Sequence, residues 1–257
     1  MLACVSKAFA STKNAFRAAT HCLPAPGKIN KSGEDAYFVS DQVLAIADGV
    51  GGWASYNVDS SKYSWALMHR IEAQVKQGQT AVPQDILRAS AAGISEIGSS
   101  TCCLVALDDS QPELRSGNIG DSGFFLLRLV EGKLKLVHKC ELTVHGFNFP
   151  RQLGTNGDSV DKGAYESVKV KHKDLLVLFT DGLSDNLFDE QVVAIAEPLL
   201  GDLGQIAKTL AEAAKQSSAN KAWQSPFAQA AKQAGYRWAG GKPDDITVIA
   251  AEVVLYQ

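Results

Sequence analysis

Apolar residues along this chain recur with two periods. Runs of four to eight apolar or alternating residues, bounded by Gly, Asp, Ser or Asn, predict strands at Phe16–His21, Ala36–Val39 and Leu44–Ala47. The same pattern predicts strands at Thr101–Leu107, Glu113–Ile119, Gly123–Val130, Lys133–His138, Val168–Val170, Leu175–Thr180 and Ile246–Leu255. A period near 3.6 appears over residues 60–77, with Tyr63, Leu67, Ile71 and Val75 on one face. It recurs from Pro83 to about Ile97 through Ile86, Leu87, Ala91 and Ile94, with the proline at a helix start. Two further helices are predicted over 189–199 and 203–217, and residues 221–241 read as irregular to helical. Residues 140–163 carry no clear period and read as a long surface excursion, a place where function often sits. The turns between the central strands are short, so their pairing is antiparallel. Strands, helices, strands, helices and a final strand predict an α+β chain in which sheets are covered by helices on both outer faces.

The polar residues that interrupt these runs are unusual. The strand Leu44–Ala47 stops at Asp48, with Gly49, Gly51 and Gly52 directly after it. Asp121 lies between Gly120 and Ser122, Asp181 precedes Gly182, and Asp244-Asp245 opens the last strand. Glu34-Asp35 opens the hairpin that leads to Asp48. One such acid is an ordinary turn residue. Five at the ends of apolar strands imply convergence, and carboxylates sharing a small volume repel one another unless cations stand between them. Oxygen donors without a suitable His or Cys pair favour Mg²⁺ or Mn²⁺ over Zn²⁺. Two such ions, roughly 3.5–4 Å apart, bind a bridging water, lower its pKa and hold a phosphoryl group for in-line attack.

Composition narrows the alternatives. The chain has 257 residues, 46% hydrophobic and 21% charged, with a formal net charge of −3. This is globular composition with no general attraction to nucleic acid. No apolar run reaches the ~18–20 residues that span a bilayer. Five cysteines occur, with no Cys-x-x-Cys pair, and Cys102-Cys103 lies within an apolar run, which predicts buried free thiols in a reducing compartment. His21-Cys22 followed by Lys28 falls short of a cysteine-phosphatase loop, which needs the planar fork of an arginine. No acid precedes Glu34, whereas Lys7, Lys13, Arg17, Lys28 and Lys31 do. With Ala, Ser and Thr abundant in residues 1–20, residues 1–15 read as an organelle targeting segment ahead of a single domain over 16–257.

A family resemblance rests on six motifs in order. They are Gly33-Glu-Asp35, Ala47-Asp-Gly-Val-Gly-Gly52, Gly98-Ser-Ser-Thr101, Asn118-Ile-Gly-Asp-Ser-Gly123, Thr180-Asp-Gly182 and Gly241-Lys-Pro-Asp-Asp-Ile-Thr247. In spacing they resemble the metal-dependent protein phosphatases of the 2C type over about residues 16–256. His145-Gly-Phe-Asn-Phe149 and Gln224-Ser-Pro-Phe-Ala228 resemble its organelle branch, which includes the mitochondrial matrix phosphatase and the chloroplast photosystem II core phosphatase. The resemblance implies a four-layer α-β-β-α sandwich of two antiparallel sheets that hydrolyses phosphoserine and phosphothreonine in phosphoproteins without a phosphoenzyme. By position, Asp48 would bridge two Mn²⁺ or Mg²⁺ ions, with the Gly49 carbonyl as a further ligand. Asp181 and Asp244 would hold the first ion, Glu34 and Asp35 the second through water, and Asp121 with Asp181 a third, weaker one. Asp185 and Asp245 would support these ligands.

Two positions depart from the animal cytosolic relatives. Val50 stands where they carry a general-acid histidine, and Asn30 stands where they carry a phosphate-binding arginine. The organelle branch shares both differences, which leaves the proton to a metal-bound water, with His145 as a further candidate donor; His69 and His138 read as partly packed surface residues. The expected partners are phosphoprotein substrates, not nucleic acid. The expected state is a monomer, and the expected compartment the mitochondrial matrix, with the plastid stroma as the alternative. Two rival functions are an inactive member that keeps the fold to bind partners and a hydrolase of another phosphoester such as a nucleotide. The costly acid cluster argues against the first, and the lack of a Gly-rich phosphate loop opening a helix argues against the second.

Overall fold

The structure, a computed structural model, describes residues 13–25, 33–78 and 81–256. Most of the expected targeting segment, and positions Lys28, Asn30 and Lys31, lie outside the described residues. Lys13 and Asn14, within that segment by the sequence reading, are tied to the fold. Lys13 Nζ donates to Asp109 Oδ2, the Asn14 amide donates to the Asp108 and Gln111 carbonyls, and its Oδ1 accepts from Tyr256 N–H.

In chain order the strands and helices are β1 (Ala15–Leu23), β2 (Ala36–Val39), β3 (Val43–Ala47), α1 (Ser61–Lys76) and α2 (Pro83–Ala91). Next come β4 (Ser99–Ser100), β5 (Cys102–Leu107), β6 (Glu113–Ile119), β7 (Gly123–Val130) and β8 (Lys133–Lys139). The stretch that shows no period in the sequence contributes β9 (Val144–Gly146), β10 (Phe149–Pro150) and β11 (Leu153–Gly154). The chain then runs through β12 (Ala164–Lys169), β13 (Leu175–Phe179), α3 (Asp181–Ser184), α4 (Asp189–Ala196), α5 (Leu203–Ser218), α6 (Pro226–Gln233) and β14 (Ile246–Val254).

Two five-stranded antiparallel sheets carry the fold, ordered β1-β14-β13-β7-β8 and β12-β6-β5-β3-β2. Alternation along each strand sorts its side chains between two apolar layers. Leu44, Ile46, Cys103 and Val105 of one sheet meet Phe124, Leu126, Leu176, Leu178 and Ile249 of the other, forming the central core. The intervening residues face outward. Val43, Ala45, Ala47 and Leu104 pack under Tyr63, Leu67, Ile71, Ile86 and Leu87 of α1 and α2. Val177, Phe179, Val248 and Ala250 pack under Val192, Ile206, Leu210 and Ala214 of α4 and α5. The result is helix, sheet, sheet, helix, as the sequence pattern and the resemblance predict.

Helix boundaries follow local chemistry. Ser225 Oγ accepts from Ala228 N–H at 3.0 Å and Pro226 takes the first helical position of α6. Asp202 caps α5 in the same way, through Gln205 N–H. The prediction that the second helix runs to Ile97 is wrong by about a turn and a half. Ala92 is extended and Gly93 has φ +85°, a left-handed conformation that terminates helices. Among the described residues no helix is long and apolar enough to cross a membrane.

Candidate active site

Strand pairing brings the acids together. Ala36 pairs with Ala47, so Asp35 and Asp48 leave one end of the β2–β3 hairpin side by side. Cys102 pairs with Ile119, which carries the Gly120-Asp121 turn to the same end of that sheet. In the other sheet Phe179 pairs with both Val248 and Gly123, so Asp181, Asp244 and Asp121 leave β13, β14 and β7 together. Hydrogen bonds join the two sheet ends. Thr101 N–H donates to the Asp48 carbonyl at 2.9 Å, Asp48 N–H donates to Thr101 Oγ1 at 3.1 Å, and Thr101 Oγ1 lies 2.7 Å from Ser122 Oγ.

Gly49 follows Asp48 because its backbone closes on the loop of Glu34. Its N–H donates to the Glu34 carbonyl at 3.2 Å, and a Cβ there would stand 2.7 Å from that same oxygen. The turn after β13 is equally tight, since a Cβ on Gly182 would overlap the Asp245 carbonyl. Asp245 itself is a structural tie. Its Oδ1 accepts from Ala25 N–H and its Oδ2 from Glu34 N–H, both at 2.6 Å. Asp35 Oδ2 accepts from the hydroxyls of Thr247 at 2.7 Å and Thr180 at 2.9 Å.

Burial and mutual repulsion act on the carboxylates of the cluster. Burial, then the charges of Asp35, Asp181, Asp244 and Asp121, push the Asp48 carboxyl well above its ordinary range. Burial and Asp245 do the same to Asp35, against its two threonine hydroxyls. Burial and the neighbouring Asp181 push Asp121 up to about 7 and Asp244 up to about 6. Asp185 is driven up well above its ordinary value by burial and Asp181. Asp181 alone goes down: burial would raise it, but the Lys242 ammonium beside it wins.

Lys242 is the residue the sequence reading missed. Its Nζ lies 2.5 Å from Asp181 Oδ2, 2.7 Å from Asp185 Oδ2 and 3.3 Å from Asp244 Oδ2. Asn186 fixes its backbone from both sides, accepting from Lys242 N–H and donating to the Lys242 carbonyl, each at 2.9 Å. The signal was in the Gly-Lys-Pro-Asp-Asp motif, two residues ahead of Asp244, where a lysine reads by default as a solvated side chain. His145, by contrast, is engaged elsewhere. Its Nε2 lies 2.9 Å from Asp158 Oδ2 and its ring centroid 4.9 Å from that of Phe149. Val50 donates its N–H to the Ser99 carbonyl and has no proton to give from its side chain.

The donor set suits a hard divalent cation. It is all oxygen, and buried Asp35 Oδ1, Asp121 Oδ1 and Asp181 Oδ1 have no hydrogen-bond partner. A buried, unpaired carboxylate oxygen is costly. Among the described residues no three His, Cys, Asp or Glu side chains are already drawn into a ligating arrangement, and the ammonium of Lys242 stands among the acids instead.

Fold and site together define a two-sheet sandwich with a carboxylate cluster at one sheet end. Comparison with known proteins gives the family. A domain description, stage II sporulation protein E, matches residues 42–254. The chain is 38% identical over 241 residues to "Probable protein phosphatase 2C 80" of Arabidopsis thaliana, covering 90% of this chain and 57% of that protein. It is 37% identical over 248 residues to "Protein phosphatase PTC7 homolog" of Homo sapiens, covering 87% of this chain and 80% of that protein. The chain belongs to the protein phosphatase 2C family. It spans little more than half the length of the Arabidopsis relative. Among solved structures, the photosystem II phosphatase PBCP superposes with a TM-score of 0.86 at 29% identity, covering 94% of this chain and all of that one. The catalytic domain of the serine threonine protein phosphatase PstP, in complex with two manganese ions, shares the fold with a TM-score of 0.62 at 20% identity, covering 94% of this chain and 99% of that one.

Proposed function

We propose that this chain is a metal-dependent protein phosphatase that removes phosphate from phosphoserine and phosphothreonine in proteins. The observation that carries the reading is the convergence of Asp48, Asp121, Asp181 and Asp244 at one sheet end, with buried carboxylate oxygens left unpaired. An inactive scaffold would gain stability by losing such a cluster, so its presence favours an enzyme. Family membership and the likeness to PBCP support the same class of reaction.

In this reading Asp48 would serve both of two Mn²⁺ or Mg²⁺ ions with the Gly49 carbonyl as a further ligand, Asp181 and Asp244 would hold the first, and Glu34 and Asp35 would hold the second through water. Asp121 joins Asp181 at a third, weaker site. When bound, the ions supply an activated water and screen the phosphoryl oxygens. The rest is the work of the protein. Thr180 and Thr247 hold one oxygen of Asp35, which aims the other into the cluster. Asp245 fixes the backbone on which Glu34 sits. Thr101 and Ser122 lock the β5 end to the turn bearing Asp121. Phosphoproteins are the substrates, and an organelle is the compartment, with the mitochondrial matrix favoured over the plastid stroma.

The test is hydrolysis of a phosphothreonine peptide with Mn²⁺ or Mg²⁺, with and without EDTA, in the wild type and in Asp181→Ala. The expected outcome is turnover that needs the metal and vanishes in the variant. Turnover that survives EDTA would overturn the reading.

A further inference from the structure

Lys242 is out of place if its role is only structural. An ammonium that contacts Asp181, Asp185 and Asp244 at once occupies the ground on which a divalent ion would have to sit. Among the described residues it is the one cation bonded to these three acids. It has the local properties of a movable plug. Its backbone is clamped by Asn186 and followed by Pro243, so the pivot is fixed and displacement of the ammonium requires only rotation about the four-carbon stem. An alternative resting place is adjacent, since Lys242 Nζ already lies 5.1 Å from the centroid of the Phe227 ring. That ring is buttressed by Phe147 at 5.0 Å and Trp238 at 5.1 Å, and a cation over an aromatic face is stabilised without any carboxylate.

We propose that Lys242 is an exchangeable internal counter-ion of the carboxylate cluster, displaced toward the Phe227 ring when a divalent ion binds, and that this exchange sets the affinity of the site for metal. The inference rests on the metal-dependent reading above. In the metal-free protein Lys242 is the shared counter-ion of Asp181, Asp185 and Asp244. A divalent ion that binds Asp181 and Asp244 must break the ion pairs of Lys242 with them, so the measured affinity of that site is the intrinsic affinity reduced by the strength of those pairs. Breaking buried charge pairs is expensive, so the reduction is large. Lys242 Nζ stands on Asp181 Oδ2 and Asp244 Oδ2, so an ion seated between these two acids meets the ammonium at close range and is repelled until it moves.

The test is calorimetric titration of metal-free protein with Mn²⁺, in the wild type, Lys242→Met and Lys242→Arg. Lys242→Met keeps the bulk of the stem and removes the charge, and is expected to bind Mn²⁺ at least tenfold more tightly. Lys242→Arg keeps the charge and should stay close to the wild type. Equal or weaker binding by Lys242→Met, or Lys242→Arg binding as tightly as Lys242→Met, would overturn the exchange. Should Lys242→Met fold only with metal, it is purified with Mn²⁺ and its release into excess EDTA is followed. Release slower than in the wild type is expected, and equal or faster release overturns the proposal. A wild type that binds no Mn²⁺ would refute the metal-dependent reading itself. Mn²⁺ bound equally by the wild type and Lys242→Met would refute only the exchange.

Discussion

The two ends of β13 each begin or end on a buried aspartate, and they are built on opposite principles. Asp174, just before Leu175, is 1% exposed and fully satisfied. Arg128 Nε donates to its Oδ1 at 2.8 Å, Arg128 Nη2 to its Oδ2 at 2.6 Å, and Lys171 N–H to Oδ2 at 2.7 Å. One acid has one planar, bidentate partner. Asp181, just after Thr180, shares one lysine with two other carboxylates and leaves its Oδ1 without a partner. The same strand therefore carries a carboxylate balanced for stability at one end and carboxylates in electrostatic deficit at the other. A chain that can build the first arrangement seven residues away has no need of the second for folding.

The largest expected effect separates the ends by function. Asp181→Ala should cut turnover of a phosphothreonine peptide by about a thousandfold or more, several kcal/mol of barrier. Its metal-free melting temperature should hold or rise. Asp174→Ala should do the reverse, since it strands the Arg128 guanidinium. It should lower stability in urea unfolding by about 3–5 kcal/mol, with turnover per folded molecule preserved. Equal losses of stability in the two variants would erase the contrast.

Titration sharpens the contrast further. Asp121 and Asp244 bind protons more tightly folded than unfolded, because burial and Asp181 raise them to about 7 and about 6. From about pH 4 to about 6 for Asp244, and to about 7 for Asp121, the folded state thus holds the extra proton, and stability falls as pH rises through each window, by up to about 1.4 kcal/mol per pH unit for each acid. Thermal melts of metal-free protein should show that fall, and Mn²⁺ should offset it increasingly at higher pH. A metal-free melting temperature that climbs across this range would contradict the deficit. The smallest effect belongs to Thr247→Val, which removes one of two hydroxyls from Asp35 Oδ2. It should cost about 1 kcal/mol in urea unfolding.

Much of this architecture is legible in the sequence. The strands announce themselves because both faces of the central ones are buried, so Val43–Ala47 and Leu175–Phe179 read as unbroken apolar runs. The acids are legible because each borders such a run beside a glycine or a second acid. What the sequence hides is set by distant contacts. Lys242 meets Asp181 across 61 positions, and nothing local distinguishes it from a surface lysine. The hairpin of β9 and β10 is too short and too exposed to show alternation. The overrun of α2 has another cause. Ile94 and Ile97 continue the helical spacing, yet Gly93 breaks the backbone and Ile97 is left exposed.

The pairing of β1 with β14 has a consequence for how the carboxylate cluster comes into being. Ala15 pairs with Val254 and Leu23 with Ile246, so an early strand finds its neighbour only in the last one. Asp244 and Asp245 immediately precede that strand, and Asp245 ties Ala25 and Glu34 into place. The cluster is therefore assembled only after some 230 residues of intervening chain have emerged. Pairings of such long range form late, because their closure entropy must be met before they contribute. A chain in which β14 has not yet seated between β1 and β13 lacks the assembled cluster.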